Sequence, residues 1–143
     1  MSLTMPPAIL LIEDHRSYRE VVKLTLESIF PVAVVEVAED VAGALEHLAS
    51  QDFDVIVMDM TLPDGSAIDL IKRIREREST PTAIVVISNH SSKEMAPLLS
   101  SYSVHGFIAK EEGLKVLTQA IAAACPRLSA VSVKVSKSTD ARH

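Results

Sequence analysis

Four strand-like runs in the chain, three of them wholly apolar, end in a reactive group. Ala8 to Ile12 runs into Glu13-Asp14, Val55 to Met58 into Asp59, Ala83 to Ile87 into Ser88, and Val104 to Ala109 into Lys110. An ionised carboxylate is costly to bury without a partner, so Asp59 belongs where its strand leaves the sheet and meets solvent, a cation or a reactant. Carboxylates gathered at neighbouring strand ends repel: at ~4 Å and an effective dielectric of ~20, each like pair costs about 4 kcal/mol. A hard divalent cation offsets that cost, and Mg2+, which takes one or two carboxylates with waters and a phosphate, fits best. Lys110 adds a compact positive charge suited to a phosphoryl oxygen, and Ser88 a hydroxyl donor for another. With Mg2+ bound, Asp59 is placed to act as a nucleophile and accept a phosphoryl group as an aspartyl phosphate, with metal and lysine spreading the transferring charge.

The elements that must position these groups follow from periodicity. Ala8 to Ile12, Val55 to Met58 and Ala83 to Ile87 have no polar face and read as strands buried on both sides. Val32 to Val37 and Val104 to Ala109 are two further strands. Between them, His15 to Phe30 carries Tyr18, Val21, Val22, Leu24, Leu26 and Ile29 at mostly helical spacing, and Pro31 stops it. Asp40 suits the N-cap of a helix with Val41, Ala44, Leu45 and Leu48 on its face, ending near Ser50. Pro63 and Gly65 build the turn after Asp59, and Ser66 with Asp69 resembles a capping box for a helix to about Glu78. Ser88-Asn89-His90-Ser91 reads as a polar turn. Pro97 makes the helix from Ser92 to Ser101 short, kinked or mobile. Glu111 and Glu112 suit the start of a last helix, whose buried face is Leu114, Leu117, Ala120, Ile121 and Ala124 and which Pro126 ends.

Five strand–helix units in alternation imply an α/β fold, a parallel sheet with helices on both faces. Sites in such sheets lie at the carboxyl ends of the strands, near the switch in strand order. Only the second strand ends without a reactive group.

The 143 residues suffice for one domain with a core. Residues 1–7 read as a flexible leader, 8–125 as the domain, and 126–143, rich in Ser and Lys, as a linker or loose tail. With 48% hydrophobic and 23% charged residues the chain is globular in composition. No apolar run approaches the ~20 residues of a membrane span, and the leader lacks the pattern of a signal peptide. No membrane association is expected, and the cytoplasm is the expected compartment. A net charge of −5 and the lack of Trp argue against a nucleic-acid surface on the domain itself. Cys125, the single cysteine, has no disulfide partner and no metal-ligand spacing, and reads as a buried helix residue.

Taken together, the acidic pair, acceptor aspartate, hydroxyl and lysine resemble the response-regulator receiver domain, the phosphoacceptor module of two-component signalling. The resemblance covers about residues 8 to 125. It implies a doubly wound, flavodoxin-like fold with five parallel strands in the order 2-1-3-4-5. It makes Asp14 a direct Mg2+ ligand, with Glu13 acting through water and the Thr61 backbone carbonyl completing the protein ligands beside Asp59, the phosphorylated residue. Ser88 matches the switch hydroxyl, Phe107 the switch aromatic and Lys110 the family's lysine, while Thr61 and His90 match the positions that tune phosphoryl lifetime. Glu111 stands where the family usually has Pro. Phe107 in place of Tyr, Ser88 in place of Thr and the Glu13-Asp14-His15 run resemble receivers that precede a helix-turn-helix output domain.

The implied partners are a histidine kinase or phosphotransfer protein, with a possible homodimer through the face formed by the Pro97 helix, the last strand and the last helix. DNA enters only through an output domain, in transcription regulation. On this reading the chain is not a turnover enzyme.

Taken singly, each residue has a plainer reading: Asp59 a solvated strand end, Lys110 a surface lysine, Ser88 a turn residue, Phe107 a core ring. The coincidence of four strand ends outweighs those readings. A phosphatase that forms an aspartyl phosphate needs a second Asp two residues on, where this chain has Thr61, and a nucleotide-binding domain needs a Gly-rich first loop, absent from Glu13 to Arg16. A phosphorylation-independent interaction module is the third alternative, and the complete set of acid, hydroxyl and lysine counts against it. His90 and His105 read as exposed loop residues and His15 as a helix-start residue. The charges from Arg16 to Lys23 read as a solvated helix face, where a kinase could dock.

Overall fold

The computed structural model describes residues 5–77, 82–89 and 101–128. Five parallel strands form one sheet: β1 (Ala8–Ile12), β2 (Val34–Ala38), β3 (Val55–Asp59), β6 (Ala83–Ser88) and β7 (Gly106–Ala109). Their order across the sheet is β2-β1-β3-β6-β7. A two-residue ribbon, β4 (Thr61–Leu62) with β5 (Gly65–Ser66), lies after β3. Counting only the strands of the main sheet, the order is therefore the expected 2-1-3-4-5.

Because side chains alternate across a strand, the sheet serves two cores. Leu10, Ile12, Ile56, Met58, Ile84 and Val86 share one with Ala44 of α2 (Val41–Ser50) and Leu70, Ile71 and Ile74 of α3 (Ala67–Arg77). Ile9, Leu11, Val55, Val57, Val85 and Ile87 share the other with Val22 and Leu26 of α1 (Arg16–Ile29) and Leu117 and Ile121 of α4 (Leu114–Ala124). This two-sided burial is the physical reason β1, β3 and β6 carry no polar residue before their last positions.

Local signals set most boundaries. Asp40 accepts the Gly43 N–H at 2.7 Å and α2 starts at Val41, while the Ser66 hydroxyl accepts the Asp69 N–H at 3.3 Å as α3 begins. Cys125 is buried at the end of α4.

Four details differ from the sequence reading. Of the apolar residues assigned to α1, Val22 and Leu26 are buried, but Val21, Leu24 and Ile29 are exposed; a helix laid on a sheet covers only a stripe of its surface. Strand β2 begins at Val34 rather than Val32. Strand β7 begins at Gly106, because just before it the His105 imidazole Nδ1, rather than a backbone carbonyl, accepts the Ile84 N–H at 3.2 Å. Glu111 and Glu112 lie in a separate 3-10 turn, Lys110–Glu112, since Gly113 at φ +96° divides that turn from α4. The expected Pro97 helix lies outside the described residues, apart from its last residue, Ser101.

Candidate phosphoacceptor site

Register brings the strand ends together. Ile12 pairs with Met58 and Asp59 with Ile87, while Ser88 pairs with Ala109, so Glu13, Asp59, Ser88 and Lys110 come to one edge of the sheet. Glu13, Asp59 and Ser88 are buried there, at 0%, 4% and 5% exposure. Lys110 reaches across from the far strand: its Nζ lies 3.1 Å from Glu13 Oε1 and 3.3 Å from Asp59 Oδ2. The other oxygen of Asp59, Oδ1, accepts the Thr61 N–H at 3.0 Å. The Asp59 carboxylate is thus fixed at both oxygens by donors that stabilise negative charge.

Burial pushes the Glu13 carboxyl above its ordinary value, and the nearby Asp59 charge adds to this. The His15 N–H and Lys110 act in the opposite direction. Burial prevails because one ammonium is shared between two carboxylates. Glu13 Oε1 has no hydrogen-bond donor among the described residues; Lys110 Nζ is close to it but out of line. A buried, under-satisfied carboxylate oxygen beside two further acids suits a hard cation with oxygen ligands.

Asp14 lies at the solvent edge of this group. Ligand atoms of Glu13, Asp14 and His15 all lie within 4.8 Å of one another. Of the residues expected to hold metal, Glu13 and Asp14 therefore converge together with His15, whereas Asp59 joins Glu13 through Lys110. The Thr61 backbone is anchored to Asp59 from the first residue of β4. Phe107 is half-buried on β7 and packs against the core on the α2–α3 side. His90 lies outside the described residues.

Three neighbours are not evident from residue type alone. The Tyr18 ring lies 4.5 Å from Lys110 Nζ, and burial together with the charges of Glu13 and Asp59 pushes its hydroxyl up to about 12. Arg19 donates to the Glu13 carbonyl at 2.8 Å. Asp64, in the turn after Asp59, accepts the N–H groups of Val41 and Ala42 at 2.8 and 3.1 Å and so fastens that turn to α2.

Comparison with known proteins gives a consistent picture. The family model described as the response regulator receiver domain matches residues 9–122. The transcriptional regulatory protein YdfI of Bacillus subtilis is 25% identical over 116 residues, covering 81% of this chain and 54% of that protein. The nitrate/nitrite response regulator protein NarL of Escherichia coli K12 is 30% identical over 127 residues, covering 85% and 58%. A crystal structure of a two-component response regulator of the LuxR family from Aurantimonas sp. SI85-9A1 superposes with a TM-score of 0.75 at 27% identity, covering 83% of this chain and 84% of that one. The chain spans little more than half the length of these two curated relatives.

Proposed function

The chain belongs to the response-regulator receiver-domain family, and on that premise we propose that it takes a phosphoryl group onto Asp59 from a histidine kinase or phosphotransfer protein. The observation that carries this reading is the buried Asp59 carboxylate, held by the Thr61 N–H on one oxygen and by Lys110 on the other. In the transfer, an Asp59 oxygen attacks the phosphorus of a phosphohistidine. The O–P bond forms as the P–N bond breaks, and the electron pair returns to the imidazole, which takes up a proton. Water later cleaves the acyl phosphate to inorganic phosphate and restores the carboxylate.

Lys110 neutralises negative charge on the phosphoryl oxygens as it crosses to them from Asp59. Glu13, Asp14 and Asp59, with the Thr61 carbonyl, are the groups that would hold Mg2+, and bound Mg2+ supplies charge neutralisation for the transferring group. Ser88, at the strand end beside Asp59, serves as the switch hydroxyl, and Phe107 as the ring that moves with it. Thr61 and His90 tune the lifetime of the acyl phosphate.

Phosphorylation then acts as a population shift, favouring one packing of β7 and its neighbours by a few kcal/mol. The face that includes β7 and α4 becomes the surface for a homodimer or an output domain. The name of YdfI, a transcriptional regulatory protein, supports transcription regulation as the output, with DNA contacted by a further domain and the receiver itself working in the cytoplasm.

Asp59→Asn tests the reading: it is expected to abolish labelling by acetyl phosphate in the presence of Mg2+ while the fold persists. Labelling that persists in Asp59→Asn removes the assignment.

A further inference from the structure

The ammonium of Lys110 has two kinds of neighbour. On one side are the carboxylates of Glu13 and Asp59, at 3.1 and 3.3 Å. The other is the ring of Tyr18, with Nζ 4.5 Å from the centroid. Lys110 opens the 3-10 turn directly after the last strand of the sheet, β7, and Tyr18 lies in the first turns of α1, which follows β1, the strand on the other side of β3 in the strand order. The contact therefore spans the mouth of the site. A lysine is a flexible stem with a mobile, strongly hydrated charge, and two carboxylates compete for this one. An aromatic face attracts a cation within about 6 Å of its centroid and excludes water from it, more strongly where the pair is desolvated. The lysine side chain is only 13% exposed.

We propose that Tyr18 is a positioning residue for phosphoryl acceptance: its ring face confines the Lys110 ammonium at the mouth of the site, where it can pass from the carboxylates to an incoming phosphoryl group. The ring, rather than the hydroxyl, does this. Removing it lets the lysine settle onto Glu13 or into solvent, and both lower the fraction of molecules ready to accept. The proposal rests on the phosphoacceptor reading of Asp59.

Two substitutions separate the ring from the hydroxyl and from simple bulk. Tyr18→Phe keeps the aromatic face, while Tyr18→Leu keeps an apolar side chain without one. Two readouts are taken on the full chain: the rate of acetyl-phosphate labelling with Mg2+, and the NMR shift of the Lys110 ε-methylene protons, which a ring face moves upfield. Tyr18→Phe is expected to label within about twofold of the parent and keep the upfield shift. Tyr18→Leu is expected to lose the shift and label about three- to thirtyfold more slowly, the range a cation–π contact covers from exposed to desolvated settings. Parent-like labelling in Tyr18→Leu, or equal losses in both variants, overturns the proposal. If the parent itself takes no label, the phosphoacceptor reading fails and takes the positioning role with it. The Lys110 shift then still shows whether the ring and the ammonium are in contact.

Discussion

Glu13 is fully buried, its Oε1 has no hydrogen-bond donor among the described residues, and it shares the Lys110 ammonium with Asp59. Its folded-state pKa lies above the ordinary value of 4.5, chiefly through burial. A carboxyl raised on folding favours the native state most when protonated. Its contribution is thus complete below pH 4.5 and is lost as pH rises through the raised folded value. In a metal chelator, the urea midpoint is therefore expected to carry a component that falls over that interval. Glu13→Gln removes that component and raises the midpoint near neutrality, since the neutral amide stands in for the protonated carboxyl that burial favours and Lys110 keeps Asp59 as its partner. The same substitution is expected to weaken Mg2+ binding about ten- to a hundredfold, the usual cost of altering a group that supports a metal site. Denaturation across pH, with and without Mg2+, checks both; an unaltered pH slope in Glu13→Gln would show that burial of this carboxyl is not its source.

At the scale of elements, the 3-10 turn that carries Lys110 depends on Gly113. Its φ of +96° with ψ of 166° is a conformation that L side chains rarely adopt, yet a Cβ there would meet nothing within 4 Å. Strain alone selects glycine, and Gly113→Ala is expected to cost about 1–3 kcal/mol in urea denaturation. A neutral result would mean that the turn and α4 join in another geometry. This junction also shows where sequence reasoning reaches its limit. The Asp40 cap and the Ser66–Asp69 bond were legible because donor and acceptor are three residues apart and chemically specific. The strand ends at Glu13, Asp59, Ser88 and Lys110 were legible because two-sided burial forces an apolar run that only its last residue can break. The separate turn at Glu111 and Glu112 was not, since acidic residues suit the start of either helix type. The His105–Ile84 bond and the contact between Tyr18 and Lys110 were not legible either, because both join residues far apart in sequence.

At the scale of the whole molecule, the candidate site and the contacts that follow α4 lie at opposite ends of β3. Asp59 closes that strand and Asp54 precedes it, about 17 Å away at the rise of a parallel strand. Asp54 accepts the Ala8 N–H at 2.8 Å and pairs with Arg127 at 2.8 Å, and Arg127 also donates to the Met5 carbonyl. Leu128, 1% exposed, is buried in the core on the α1–α4 side. Packing thus continues past the end of α4, and Leu128 lies in the same core as residues of the sheet, α1 and α4. Two substitutions weigh the parts of this anchor. Leu128→Ala removes a buried side chain and is expected to cost about 2–5 kcal/mol of unfolding free energy. Arg127→Ala breaks a partly exposed ion pair, worth less than about 1 kcal/mol. Urea denaturation of both variants decides between apolar and ionic anchoring: a Leu128→Ala loss no larger than that of Arg127→Ala would show that the segment after Cys125 is held by its charges and not by burial.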